Sequence, residues 1–449
     1  MESEVVMTCG PIVLDLETHD ADEQFNPSPS CGQPGPFVRV GGARLGDRYA
    51  HTTNVALLRS VAEESKLVVT HNGIVFDLPV LGVDILAKAR RRELLDTLVT
   101  EAVLDPPVAD ERSGAIGRAQ KRYGLDTTCE RRGIPGKKQI KDLAKEFGGW
   151  CHIPVDHPGF LAYLEQDVES TRLLAAAQMA QGLPEYVWRE HRVAAIASTM
   201  CHAGFEADRP LLFERHAEVQ ARKAELREKL VTRYGLPTTK ADGKPSVSPH
   251  TTKEGRAALL SAFTALGVAE SEIPVTPKGA PAFGGEGMLE LANRHPESTD
   301  IGELCEVVAD MAGLRSVYGT AVDYLHADGR VHPQVLMFQA SGRWSVTKPG
   351  LTVFGKRGGR VVERDVFQAA EGHVLIAADM AQVDMRAVAA HSQDEAYIAV
   401  LSDPTRDLHS EIASRLWGGP TTKNPKRELA KPMGHGWNYG MQAEKMAES

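Results

Sequence analysis

Long apolar runs are missing from this 449-residue chain: none approaches the 18 or more residues that cross a bilayer, and the opening MESEVVMTCG lacks the basic-then-apolar order of a secretory signal. The sequence therefore predicts a soluble, cytoplasmic protein with no membrane partner. Cysteine is sparse. The six, at positions 9, 31, 129, 151, 201 and 305, never form a C-x-x-C pair, which speaks against a zinc site and against a disulfide framework. An excess of positive charge is also lacking, since 51 Lys and Arg face 60 Asp and Glu for a net charge of −9. A uniformly basic nucleic-acid coat is excluded. Local basic grooves are not, and carboxylates gathered around a metal would account for part of the acidic surplus.

What is present is enough apolar material, 42% of residues, for packed cores in a chain long enough for two or more domains. Residues 12–17 read as a buried strand ending in carboxylates, residues 37–40 as a second strand after a Pro/Gly/Ser-rich loop, and residues 67–72 as a third. Helical patterns flank the third strand and recur over residues 158–179, the alternation of an α/β domain. From about 184 to 325 charged amphipathic segments such as ERHAEVQARKAELREKL predict a mostly helical region, interrupted by the loop-like PVTPKGAPAFGGEG. Strand signals return after the turn at Asp328-Gly329-Arg330, notably in HVLIAADM, residues 373–380. The sequence shows no internal repeat.

Two constellations carry chemistry. In IVLDLETHD, Asp15 and Glu17 stand two apart on a strand and project to one face, where paired negative charge calls for a cation. Alone, such a pair is more often a solvated strand end. HNGIVFDLPVL then places Asn72 at a strand end, with Phe76 and Asp77 beyond it, and YLEQDVESTRLL places Tyr163 and Asp167 at i and i+4 on a helix. Separately these read as a cap and a surface pair; in this order they mean more.

The second constellation lies near the end. ASGRWSVTKPGLTVFGKRGGR carries Arg343, Lys348, Lys356, Arg357 and Arg360 with no acid between them, interleaved with Trp344 and Phe354, a composition suited to a phosphate backbone. AADMAQVDMR places Asp379 where a strand should end, a position that taken alone reads as a helix cap. KRELAKPMGHGWNYG sets Arg427, Lys431, His435 and Tyr439 at four-residue intervals, a stripe on one helical face able to meet a triphosphate. Pro432, Gly434 and Gly436 cost that helix ~3 and ~1 kcal/mol each relative to Ala, so a kink, or order imposed by a partner segment, is predicted there.

The first set of residues resembles the DEDD-type 3′→5′ exonucleases, with motifs D-x-E, N-x-x-x-[FY]-D and Y-x-x-x-D on an RNase H-like fold. The resemblance implies two Mg²⁺ or Mn²⁺ ions per active site, held by Asp15, Glu17, Asp77 and Asp167, with Tyr163 orienting the attacking water and Asn72 meeting DNA. Tyrosine in the last motif is typical of proofreading domains. The second set resembles the family A DNA polymerases, of the bacterial DNA polymerase I and phage replicative type. DMAQVDMR is similar to motif A and the Arg427–Tyr439 stripe to motif B.

Carried over, Asp379 would bind catalytic metal, and Asp384 would take the place of the glutamate that excludes ribonucleotides. Arg427 and Lys431 would grip the incoming dNTP, with His409, His435 and Tyr439 lining its site, and Arg343, Lys348, Lys356 and Arg357 would meet the primer–template. Met380, Asp384 and His435 depart from the family's usual tyrosine, glutamate and aromatic. The resemblance implies a multidomain α/β and α+β protein: an RNase H-like exonuclease domain at 1–183, a helical thumb at 184–325, a partial palm at 326–402 and partial fingers at 403–449.

No counterpart of motif C, with its second catalytic carboxylate, is found before residue 449. The expectation is thus a polymerase of phage-like type whose chain alone trims DNA and extends it poorly or not at all, a separate polypeptide completing the palm and fingers. Two rivals stand beside it. One is a stand-alone 3′→5′ exonuclease; the other is a non-polymerising DNA-binding replication factor.

Overall fold

Strand β1 (Ile12–Thr18) is apolar at all but its two acidic positions and its final threonine, and it is the middle strand of a five-stranded sheet ordered β3-β2-β1-β4-β5. β2 (Val38–Leu45) and β3 (Arg48–Thr52) continue from it as an antiparallel meander, while β4 (Val68–Thr70) and β5 (Leu94–Asp96) run parallel to it. A computed structural model of the chain describes residues 10–19, 37–107, 122–136, 140–239, 243–276, 279–314, 317–339, 343–355 and 363–443. Parallel strands need crossover connections, and helices Val55–Glu64 and Ile85–Arg91 supply them, both packing on one face of the sheet.

Alternation along β1 decides what each face carries. Ile12, Leu14 and Leu16 point to one side, where Leu58, Leu78, Leu94, Ala194 and Ala195 complete a core. Val13 points to the other, packing with Val40, Val69 and Leu95 against Phe160, Leu164 and Val168 of helix Pro158–Ala180. Asp15 and Glu17, in phase with Val13, therefore face that helix. On the opposite side helix Val55–Glu64 approaches β2 so closely that a Cβ on Gly41 would lie 2.5 Å from Leu58 Cδ1, which fixes glycine at that position.

Beyond the sheet, Asp208 caps the 26-residue helix Arg209–Tyr234 by accepting a bond from Leu211 N, and Gly235 ends it at a left-handed φ of 68°. With helices Lys253–Ala265, Gly285–Arg294 and Thr299–Gly313 it encloses a second core around Leu230, Phe263, Met288 and Leu304. The expected helical region is present. Short strands then return: β6 (Phe205–Ala207) pairs with β7 (Arg330–Val331) and with β10 (Phe367–Gln368), and β8 (Gln334–Leu336) forms a hairpin with β9 (Ser345–Thr347).

The chain divides into two compact units, Met1–His373 and Val374–Ser449. In the second, helices Val383–Ser392, Glu395–Ser402, Leu408–Trp417 and Arg427–Asn438 share a core of Met385, Ala389, Val400, Leu401 and Leu408. Residues 374–380, read from sequence as a buried strand, differ from expectation: they form no strand, and Val374, Leu375 and Ile376 are 79%, 62% and 87% exposed. An extended segment becomes a strand only against a neighbour that takes its backbone bonds and one face, and among the described residues none pairs with it. The Arg427–Asn438 helix, by contrast, is one element with Pro432 inside it. Gly434 packs closely there, a Cβ at that position standing 3.1 Å from Ile412 Cδ1.

Candidate active site

Three of the predicted carboxylates meet. Asp15 and Glu17 on β1 and Asp167 on helix Pro158–Ala180 bring oxygens within 4.8 Å of one another. Glu17 and Asp167 are buried and Asp15 half-buried. Asp77 stands beside this group without joining it: its Oδ1 accepts the amide of Leu16 at 2.9 Å, between the two β1 acids, and the carboxylate is itself buried. Oxygen-only donors at this spacing suit a hard divalent cation such as Mg²⁺ or Mn²⁺, and the residues present fit one.

The supports of this group are residues that no motif announced. Arg44 of β2 reaches Glu165 and Glu169, each at 3.3 Å, the two acids that straddle Asp167 on its helix. Tyr49 of β3 has its hydroxyl pushed well above the usual phenol range by burial, then by Glu165, Asp15 and Glu17, against the pull of Arg44; it thus senses the charge of the cluster. Trp150 lies edge-on to Tyr163, ring centroids 5.8 Å apart. Its indole N–H donates to the carbonyl of Thr18 at 3.0 Å.

Asp96, fully buried at the end of β5, accepts the amides of Asn72 (3.0 Å), Ile74 (3.1 Å) and Leu98 (2.9 Å). One carboxylate therefore caps helix Thr97–Leu104 and pins the turn that leads to Asp77, with Asn72 held at a positive φ of 63°. An Asp before an apolar helical run is a cap signal visible in sequence. A lone Trp in GGWC is not a signal of any kind.

Asn72 and Phe76 line a cleft of about 540 Å³ together with Val75, Leu98, Leu336, Phe338 and Lys348. The structure so brings together two residues the sequence assigned to DNA contact. Arg343, exposed, lies just before β9. Lys356, Arg357 and Arg360 lie outside the described residues.

In the second unit the first residue of the Arg427–Tyr439 stripe is bound internally. Arg427 Nε donates to Asp407 Oδ2 at 2.8 Å and a second guanidinium nitrogen to Oδ1 at 3.3 Å, while the same Asp407 caps helix Leu408–Trp417 through Ser410 N at 3.1 Å. His409 is buried, its ring 5.6 Å from that of His435. Burial, then Arg427, with His435 and Lys431 adding, holds the His409 imidazole below its usual range against the opposing Asp407. His409 thus stands beside Arg427, Lys431 and His435. The Tyr439 hydroxyl lies 3.5 Å from Asp384 Oδ2. Asp379 is exposed, and among the described residues it belongs to no group of three metal-ligating side chains.

A polymerase is the class of enzyme whose fold this architecture matches. The POL domain of Pol1 from M. smegmatis, solved in complex with DNA primer-template and dNTP, aligns with 97% of this chain and 69% of its own at a TM-score of 0.64 and 18% identity, a likeness of fold. More particularly, residues 268–449 match the model of DNA polymerase family A. DNA polymerase I of Mycobacterium tuberculosis is 34% identical over 140 residues, 30% of this chain and 15% of that protein. The DNA polymerase of Mycobacterium phage D29 is 25% identical over 372 residues, 79% of this chain and 57% of that protein. The chain thus matches less than two thirds of the length of these relatives. Among the described residues no helix is long and apolar enough to cross a membrane.

Proposed function

We propose that this chain is a DNA-processing member of the family A polymerases whose own complete chemistry is removal of nucleotides from the 3′ end of DNA. The observation that carries the proposal is the meeting of Asp15, Glu17 and Asp167 from two separate sequence motifs, with Asp77 against the same strand. Strand order and direction, an antiparallel meander followed by two parallel strands, support an RNase H-like exonuclease domain over 1–183. The helical thumb, partial palm and partial fingers would follow over 184–325, 326–402 and 403–449.

Asp15, Glu17 and Asp167, with Asp77, would hold two Mg²⁺ or Mn²⁺ ions. When bound, such ions lower the pKa of water and stabilise charge on both the entering and leaving oxygens of a phosphodiester. Tyr163, one helical turn before Asp167, would hold the attacking water by its hydroxyl. Water adds to phosphorus, the P–O3′ bond breaks, the 3′ oxygen takes a proton and a nucleoside 5′-monophosphate leaves. The buried backing of Glu17 and Asp167 keeps bulk solvent from screening their charge.

The second unit fits a dNTP-binding role, with Arg427, Lys431, His409 and His435 toward phosphates and Asp384 with Tyr439 toward the sugar. Extension would also need a second carboxylate beside Asp379, which among the described residues belongs to no group of three metal-ligating side chains. Primer–template DNA is the proposed partner, and a separate polypeptide or further chain would complete polymerisation.

The test is a panel of single-stranded, matched and 3′-mispaired primer–templates with Mg²⁺, with and without dNTPs, run beside Asp15→Ala. Shortening that prefers the mispaired end, vanishes in the variant and is not reversed by dNTPs supports the reading. Extension would overturn the division of labour proposed here, and DNA binding without shortening would favour a replication factor.

A further inference from the structure

β1 pairs with β2 in regular register from Ile12 to Glu17 and then slips between Glu17 and Thr18. The slip leaves Arg39 as the extra residue on β2, between Val40 opposite Glu17 and Val38 opposite Thr18, and such a bulge bends the strand that carries it. Here the Thr18 carbonyl, one residue past Glu17, receives the Trp150 indole N–H at 3.0 Å. The same indole ring is edge-on to Phe160 at 5.2 Å and to Tyr163 at 5.8 Å, both on the helix that carries Asp167. Trp150 therefore touches the strand bearing two of the acids and the helix bearing the phenol and the third.

The short helix Trp150–His152 that presents this ring is too brief to hold itself. A buried cation braces it. Arg39 of β2, 6% exposed, donates to the carbonyl of Trp150 at 2.9 Å and to that of Ile153, and its guanidinium stacks 4.6 Å above the Phe160 ring. A buried guanidinium spent on two carbonyls is costly unless its geometry serves something.

We propose that Trp150 is a positioning residue for Tyr163, fixing the phenol relative to the acidic cluster across the β1 slip, with Arg39 as its brace. The proposal deepens the nuclease reading and rests on it. A fixed phenol matters because a displacement of about 1 Å of an orienting group costs on the order of 10²-fold in rate. Trp150→Phe keeps an aromatic ring against Tyr163 and loses only the bond to Thr18; Trp150→Ala loses both.

The experiment measures kcat and KM for single-stranded DNA with Mg²⁺ in wild type, Trp150→Phe, Trp150→Ala, Tyr163→Phe and the Trp150→Ala/Tyr163→Phe double variant. Beside it, Mn²⁺ affinity and the NMR signal of the Tyr163 ring in tyrosine-labelled protein are recorded for each. Expected is a fall in kcat of several-fold for Trp150→Phe and on the order of 10²-fold for Trp150→Ala, with KM and Mn²⁺ affinity unchanged. The double variant should be no slower than Tyr163→Phe, because the two residues act as one, and the Tyr163 signal should move in both Trp150 variants.

Full activity in Trp150→Ala, losses that multiply in the double variant, or an unmoved Tyr163 signal would overturn the proposal. A Trp150→Ala protein that also loses Mn²⁺ would overturn it in favour of a structural role, the milder Trp150→Phe guarding against simple misfolding. A wild type that neither binds Mn²⁺ nor shortens DNA would overturn the nuclease reading instead, and the Tyr163 signal would then decide the positional claim alone.

Discussion

Replacing Asp15 by asparagine keeps the shape of the side chain and removes one of three negative charges whose oxygens lie within 4.8 Å of one another. Two unit charges at that separation repel by about 3.5 kcal/mol at an effective dielectric constant of ~20. The substitution removes two of the three pairs, about 7 kcal/mol before any screening. Asp15 is half-buried and each carboxylate already has other interactions in the fold, so solvent and those partners reduce the gain to about 1–3 kcal/mol. In EDTA, Asp15→Asn should therefore unfold at higher urea than wild type.

Metal reverses the order. A cation that binds the folded state alone stabilises it by about 2.7 kcal/mol at a hundredfold excess over Kd, and the variant, short of one ligand, should gain much less. Urea titrations followed by tryptophan fluorescence, with EDTA and with Mg²⁺, would show the two curves exchanging places. A variant less stable than wild type in EDTA, together with a wild type indifferent to Mg²⁺, would refute the claim that these acids form one charged site.

Asp96→Ala should cost about 3 kcal/mol in urea unfolding, since it strands the buried amide of Ile74 and the part-buried amides of Asn72 and Leu98; hydrogen exchange should rise at those amides in particular. His191 is buried with Nδ1 toward the Val187 carbonyl at 2.8 Å and Nε2 accepting the Asp96 amide at 2.7 Å, and burial holds its imidazole below the ordinary range. A lowered folded pKa means that the unfolded chain binds the extra proton first, so its contribution is intact above about pH 6.5 and lost as pH falls below that value. Urea midpoints at pH 7.5 and 5.5 should show this loss, and His191→Gln should lessen the difference. Gly41→Ala should destabilise the sheet domain by about 1–3 kcal/mol, because the new methyl falls 2.5 Å from Leu58 Cδ1; an unchanged melting temperature would count against the close approach of helix Val55–Glu64.

The sheet was legible because β1, β4 and the helix at Pro158–Ala180 each carry a local pattern, and period-two alternation already sets Asp15 and Glu17 on one face. That Asp167 arrives at the same face is a tertiary fact, and only the joint order of three motifs hinted at it. Asp77 shows the limit of the motif: it sits with the group, yet in this structure its Oδ1 accepts the Leu16 amide. Arg39, Arg44, Tyr49 and Trp150 had no legible signal, because each acts through partners far along the chain, as Trp150 does with Thr18.

The strand read at residues 373–380 failed for a related reason. Its composition is that of a buried strand, but a ladder needs a neighbour, and sequence pattern cannot supply one. In the second unit, the four-residue spacing of Arg427, Lys431, His435 and Tyr439 was visible. That Arg427 would be spent on Asp407 was not.

The central claim is that the acidic cluster of the first unit removes nucleotides from 3′ ends using divalent metal. Single-stranded DNA labelled at its 5′ end, incubated with the purified chain in Mg²⁺ or in EDTA, tests it directly. The account predicts a ladder of 5′-labelled products that shortens one nucleotide at a time in Mg²⁺ only, with Asp15→Ala and Asp167→Ala silent. Internal cuts, release of the 5′ label as a mononucleotide, or shortening that persists in EDTA or in both variants would contradict it.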